Sequence, residues 1–120
     1  MSETQNSKVY DLEDRTLKFA RQIREFVKKL PKNIANIEDI KQLVRSSGSV
    51  GANYIEANES LSKKDFAMRI KISRKEVKES RYWLRLVETM SNSLEEVRNE
   101  LIREATELMK IFGSIVEKSK

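Results

Sequence analysis

Carboxylates, ammonium and guanidinium groups and a few hydroxyls are the only side chains here with chemistry to offer, because the chain has no cysteine and no histidine. That excludes disulfides, thiolate and imidazole metal sites, and Ser-His or Cys-His nucleophilic pairs. Two sets of carboxylates share a helical face by spacing: Glu76 with Glu79, and Glu100 with Glu104 and Glu107. A di-metal bundle site also requires Glu-x-x-His pairs, which the chain lacks. For Glu76 and Glu79 two roles stand open. One is ion pairing with Lys75, Lys78, Arg81 or a neighbouring helix; the other is a hard-cation site. No spacing singles out a catalytic set. The expectation is a protein that is not an enzyme, with no metal, no cofactor and no small-molecule substrate.

The cations are unevenly placed. The chain carries 24 basic and 19 acidic residues, net +5. Between Lys63 and Arg85 there are nine basic and three acidic residues, net +6; between Glu95 and Glu117 there are three basic and six acidic, net −3. The basic segment has two readings. It complements the acidic segment next to it, or it forms a phosphate-binding surface through Lys64, Lys71, Lys75, Lys78 and Arg85. Contacts of the second kind are sequence-independent and salt-sensitive. Tyr82 and Trp83 lie in the same segment, either packed between helices or stacked on bases.

These residues need elements to hold them. At 120 residues, with 38% hydrophobic and 36% charged residues and a single proline, the chain reads as one all-α domain. Residues 1–10 read as a flexible N-terminal tail and 11–117 as the bundle. A first helix opening at Asp11 carries Leu12, Phe19, Ala20, Ile23, Phe26, Val27 and Leu30, and Pro31 ends it. A second, from about Asn36 to Asn58, carries Ile37, Ile40, Leu43 and Val44. Ser62 with Asp65 opens a third, whose stripe is Phe66, Ile70, Ser73, Val77, Ser80, Leu84 and Val87. Ser93 with Glu96 opens a fourth, with Leu94, Val97, Leu101, Leu108, Phe112 and Ile115. Four such amphipathic helices with short connections predict an antiparallel up-down-up-down four-helix bundle. The polar N-terminus and the absence of a long apolar run predict a cytoplasmic protein with no membrane partner.

One stretch is unusual for a helix. "SSGSVGANYIEA" (Ser46 to Ala57) holds two of the three glycines, each costing about 1 kcal/mol against alanine inside a helix. The apolar spacing nevertheless runs through it, so a continuous helix is expected, with small residues admitting another backbone. Ser46, Ser49, Asn53, Glu56 and Ser60 share one face. That face is either solvated or a polar seam in which Asn53 and Glu56 meet Arg74, Glu76 or Ser80 of the third helix. A phosphate loop fits poorly, since the glycine spacing matches no nucleotide motif and no strand precedes it.

The run from Ser47, Val50, Gly51, Ala52, Asn53, Glu56 and Ala57, through Lys64-Asp65-Phe66, to Lys75-Glu76, Glu79-Ser80 and Tyr82-Trp83-Leu84 resembles the four-helix-bundle family encoded in intervening sequences of bacterial 23S ribosomal RNA genes, labelled ribosomal-protein-like. It is also similar to accessory proteins of the reverse transcriptases of diversity-generating retroelements. The resemblance implies an antiparallel bundle, a ring-like homopentamer, no established catalysis, and RNA, DNA or a nucleic-acid enzyme as partner. It does not imply a structural ribosome component. Ser47, Gly51, Asn53, Tyr54, Glu56 and Trp83 are expected to line a helix-packing or oligomer seam.

Overall fold

The computed structural model describes the backbone from Ser2 onward and side chains from Leu12 to Lys120. It contains four helices: α1 (Ser2–Lys28), α2 (Ile34–Asn58), α3 (Lys63–Leu86) and α4 (Asn92–Lys118). The flexible tail expected over residues 1–10 falls on residues whose side chains lie outside that description. The helix bounds themselves begin upstream of Asp11.

Each end has a local cause. Past the end of α1 the Leu30 N–H bonds back to the Val27 carbonyl at 3.2 Å, and Lys32 folds its ammonium onto the carbonyls of Val27 and Leu30, at 2.9 and 2.6 Å. Asn33 caps α2, accepting from the Asn36 backbone N–H. Ser62 caps α3 through the Asp65 N–H, as its spacing predicts. At α4 the cap is Ser91, whose hydroxyl accepts from the Leu94 N–H at 3.1 Å, and not Ser93. Glu95 explains the shift. It accepts from Thr89 and Arg98, and Arg98 also reaches the Val87 carbonyl. These bonds pull the first turn of α4 back onto the loop that precedes it.

Cross-helix contacts fix the topology. Gly51 meets Thr16 and Asn58 bonds Glu13, so α1 and α2 run antiparallel. Ser46 meets Ser80 while Asn53 meets Arg69, so α2 and α3 do as well. Arg81 on Thr106 and Arg74 beside Gly113 give the same sense for α3 and α4. The result is the expected all-α antiparallel bundle. Phe19, Ile23 and Phe26, Leu43 and Val50, Ile70, Val77 and Leu84, and Leu101, Leu108 and Phe112 fill its interior. The stripes read from the sequence supply nearly all of it. Ile37 and Val97 are the exceptions, at 40% and 37% exposed.

The four interhelix seams differ. α2 and α3 pack most intimately, whereas α1 and α4 touch least. The latter pair is held by a two-pronged Arg15–Glu104 ion pair, at 2.6 and 2.8 Å, and splays beyond it. The opening leaves a groove of about 590 Å³, floored by Phe26, Leu94 and Leu101 with Leu17 and Val97 at its edges. At one end of the bundle a single buried side chain joins two connections. The amide of Asn36 donates to the Pro31 and Glu88 carbonyls, at 3.0 and 2.8 Å, and its oxygen accepts from the Glu88 N–H at 2.9 Å.

No helix is long and apolar enough to cross a membrane among the described residues.

Candidate nucleic-acid interface

The glycine-serine stretch stays helical throughout, and its small residues do two jobs. A Cβ on Gly51 would sit 2.9 Å from the Thr16 hydroxyl and 3.3 Å from its Cβ. Glycine there is what lets α1 approach. Gly48 is less constrained: a Cβ would meet only the end of the Arg24 guanidinium, at 3.4 Å.

On the neighbouring face, α2 meets α3 through hydroxyls. Ser46 and Ser80 share a 2.8 Å bond, Ser80 donates to the Glu76 carbonyl at 2.8 Å, and Ser73 donates to the Val50 carbonyl at 2.9 Å. All three serines are fully buried, which is tolerable because each hydroxyl is bonded. Asn53 donates to the Ser49 carbonyl and accepts from Arg69 at 3.0 Å. The polar face of α2 is therefore a seam at Ser46 and Asn53, and it turns to solvent by Glu56, which is exposed. The partners differ from those anticipated: Asn53 meets Arg69, and Ser46, not Asn53 or Glu56, meets Ser80. Ser47 is buried and donates to the Val44 carbonyl. Tyr54 turns inward, its ring 5.9 Å from that of Phe112, so it packs helices within the chain. Burial pushes its phenol above the usual value.

Glu76 and Glu79 are ion-paired across the seam. Arg45 of α2 binds Glu76 at 3.4 Å and makes a closer contact with Glu79. Glu79 also accepts from the Trp83 indole at 3.1 Å. Its partial burial alone would raise its pKa, but the bonds from Trp83 and Arg45 outweigh this and hold it below the usual carboxylate value. Glu79 in turn raises the Arg45 guanidinium. Arg45 was not singled out by sequence; its role depends on the register between two helices, and no local pattern records that. No cluster of three or more acidic groups suited to a metal ion occurs among the described residues.

The outer side of α3 is different. Lys71, Lys75, Lys78 and Arg85 follow Lys64 by seven, eleven, fourteen and twenty-one positions, which places all five within an arc of about 80° on one helix face. Every one is exposed. None enters an ion pair or side-chain hydrogen bond with another described residue. Four of the six acidic residues of α4 are engaged elsewhere: Glu95 with Arg98, Glu107 with Lys110 and Glu117 with Lys120 along the helix or its end, and Glu104 with Arg15 of α1. The neighbouring negative segment thus does not pair with this face. Trp83 is half-buried, its indole committed to Glu79, while Tyr82 is 57% exposed.

This geometry stands beside a clear set of relatives. The family described as 23S rRNA-intervening sequence protein matches residues 8–114, and the chain belongs to it. Among solved structures, the chain is similar to a crystal structure of a protein of unknown function from the S23 ribosomal protein family of Bacteroides thetaiotaomicron VPI-5482. Identity is 32%, 87% of this chain and 96% of that one are covered, and the TM-score is 0.74. No curated protein matches.

Proposed function

We propose that this protein is a non-enzymatic, oligomeric helical bundle that holds nucleic acid, or a nucleic-acid enzyme together with its substrate, against the outer face of α3. One observation carries the reading: five exposed cations on a single helix face, none in an ion pair among the described residues, beside an acidic helix four of whose six carboxylates pair elsewhere. A row of exposed cations outside any ion pair suits phosphates, because displaced counterions drive association. The family's link to intervening sequences of ribosomal RNA genes supports a nucleic-acid context. The resemblance to retroelement accessory proteins supports an enzyme partner. A homopentameric ring, which the same resemblance implies, would repeat the stripe and raise avidity without new contacts. The test is a mobility-shift titration with structured RNA and duplex DNA at several salt concentrations, with the solution mass measured in parallel. Binding that weakens steeply with salt is expected; no binding at low salt removes the nucleic-acid role.

A second reading rests on the groove between α1 and α4. Leu17 and Val97 stand exposed on it, at 49% and 37%, as in a protein-interaction surface. In that reading the protein is a structural or protein-interaction oligomer without a nucleic-acid role, in which the basic helix of one subunit pairs with the acidic helix of its neighbour. Neutralising Lys71, Lys75 and Lys78 separates the two: assembly collapses if these charges are glue between subunits, and persists with weakened nucleic-acid binding if they are a surface.

A further inference from the structure

The basic stripe is not purely charged. Tyr82 falls inside its arc, four positions after Lys78, and Met68 lies just beyond its edge, four after Lys64; both are solvent-facing, Met68 at 51% and Tyr82 at 57% exposed. Phosphates have no use for either side chain. A duplex lying on the stripe would present its sugar-phosphate ridge, and its bases would stay stacked inside. An unpaired strand presents bases as well as phosphates, and an aromatic ring between cations is what it stacks on.

We infer that the outer face of α3 takes unpaired nucleic acid in preference to duplex, with Tyr82 as the stacking residue. This rests on the phosphate-surface reading above and adds a discrimination to it. The geometry around Tyr82 is suited to the role. Lys78 lies one turn before it and Arg85 three positions after, a separation of about 10 Å along the axis between the two cations. A strand crossing there has a phosphate partner on each side of the ring. The ring is also steadied from beneath: Trp83 meets it edge-on, centroids 4.9 Å apart at 76°, and Trp83 is fixed by its bond to Glu79. Less motion of the ring is therefore lost on binding than for an unsupported exposed tyrosine. The adjacent pair thus divides its work, Trp83 anchoring to α2–α3 and Tyr82 facing outward.

Fluorescence anisotropy of labelled oligothymidylate, oligouridylate and a DNA duplex of matched length tests this on the intact protein, using wild type, Tyr82→Ala, Tyr82→Phe and the Lys71→Gln/Lys75→Gln/Lys78→Gln variant. The expected result is tighter binding of both single strands than of the duplex. Tyr82→Ala should weaken single-strand binding about tenfold and leave the duplex and the salt slope unchanged, with Tyr82→Phe within about threefold of wild type. The lysine variant should weaken all three probes and flatten the salt slope. Tyr82→Ala binding single strands like wild type overturns the inference while leaving the phosphate surface intact. So does equal loss on single strand and duplex, or a change in solution mass on Tyr82→Ala, which would make Tyr82 an assembly residue. No binding of any probe by wild type overturns the phosphate-surface reading itself, and this inference with it.

Discussion

On its inner side α3 buries Ser73 and Ser80, each bonded to a partner on α2 or its own backbone, and ties Glu76 and Glu79 to Arg45. On its outer side the same helix leaves Lys64, Lys71, Lys75, Lys78 and Arg85 exposed and outside any ion pair with the described residues, Lys75 acting on Glu79 only through space. The contrast separates what holds the fold from what the fold displays. Inside, polar groups are kept because each is satisfied, and the seam draws its closeness from small residues. Outside, charges of one sign stand one or two turns apart, where their mutual repulsion costs only a few tenths of a kcal/mol per pair, and they act together on a polyanion.

The contrast breaks or sharpens under substitution, and the largest effect is expected at the core. Leu84→Ala should cost about 2–5 kcal/mol in urea denaturation, since Leu84 is fully buried and the site cannot fully collapse. Nucleic-acid affinity of the folded fraction should be unchanged. Gly51→Val comes next, at about 1–3 kcal/mol, because the added methyls run into Thr16. Its control is Gly48→Ala, where space is available: the chain should gain up to about 1 kcal/mol from helix propensity. Equal losses at the two glycines would mean that close approach to α1 is not what selects Gly51.

Smaller effects test the ion pairs. Glu79 is depressed in the folded chain, so it binds protons less readily there than when unfolded. Its contribution is complete above the usual carboxylate range and is lost as pH falls through its lowered folded value. Glu79→Gln should therefore cost less than about 1 kcal/mol at neutral pH, given its partial exposure. It should also flatten the acid limb of urea midpoints measured from pH 7 downward, an acid limb as steep as wild type contradicting the assignment. The smallest stability change is expected for the triple Lys71→Gln/Lys75→Gln/Lys78→Gln variant, within about 0.5 kcal/mol. A large drop in its thermal midpoint would show that the outer face belongs to the fold after all.

The helices were legible because their apolar residues recur at three- and four-residue steps over long stretches, and even the buried Ser73 and Ser80 stood in the predicted stripe. Continuity through Gly48 and Gly51 was legible for the same reason. The fourth helix start was misread, because Ser93-x-x-Glu96 matches a capping box better than Ser91-x-x-Leu94. What decided it was Glu95 bonding Thr89 and Arg98, a set of contacts that propensity does not encode. The five cations of the stripe could be named from spacing. That α4 would leave them unpaired could not, because it depends on Arg15 reaching Glu104 from the far side of the bundle. The split of Tyr82 from Trp83 was equally hidden, since adjacent residues on a helix diverge by about 100° and only the packing tells which one goes in.

Asn36 sits where two connections come together, one at Pro31 and one at Glu88, fifty-seven residues apart in the chain, and it binds both. Removing its amide would orphan two carbonyls and one N–H in a place water reaches poorly. One small side chain thus acts as a rivet through two hinges, so that end of the molecule opens only when both turns let go at once.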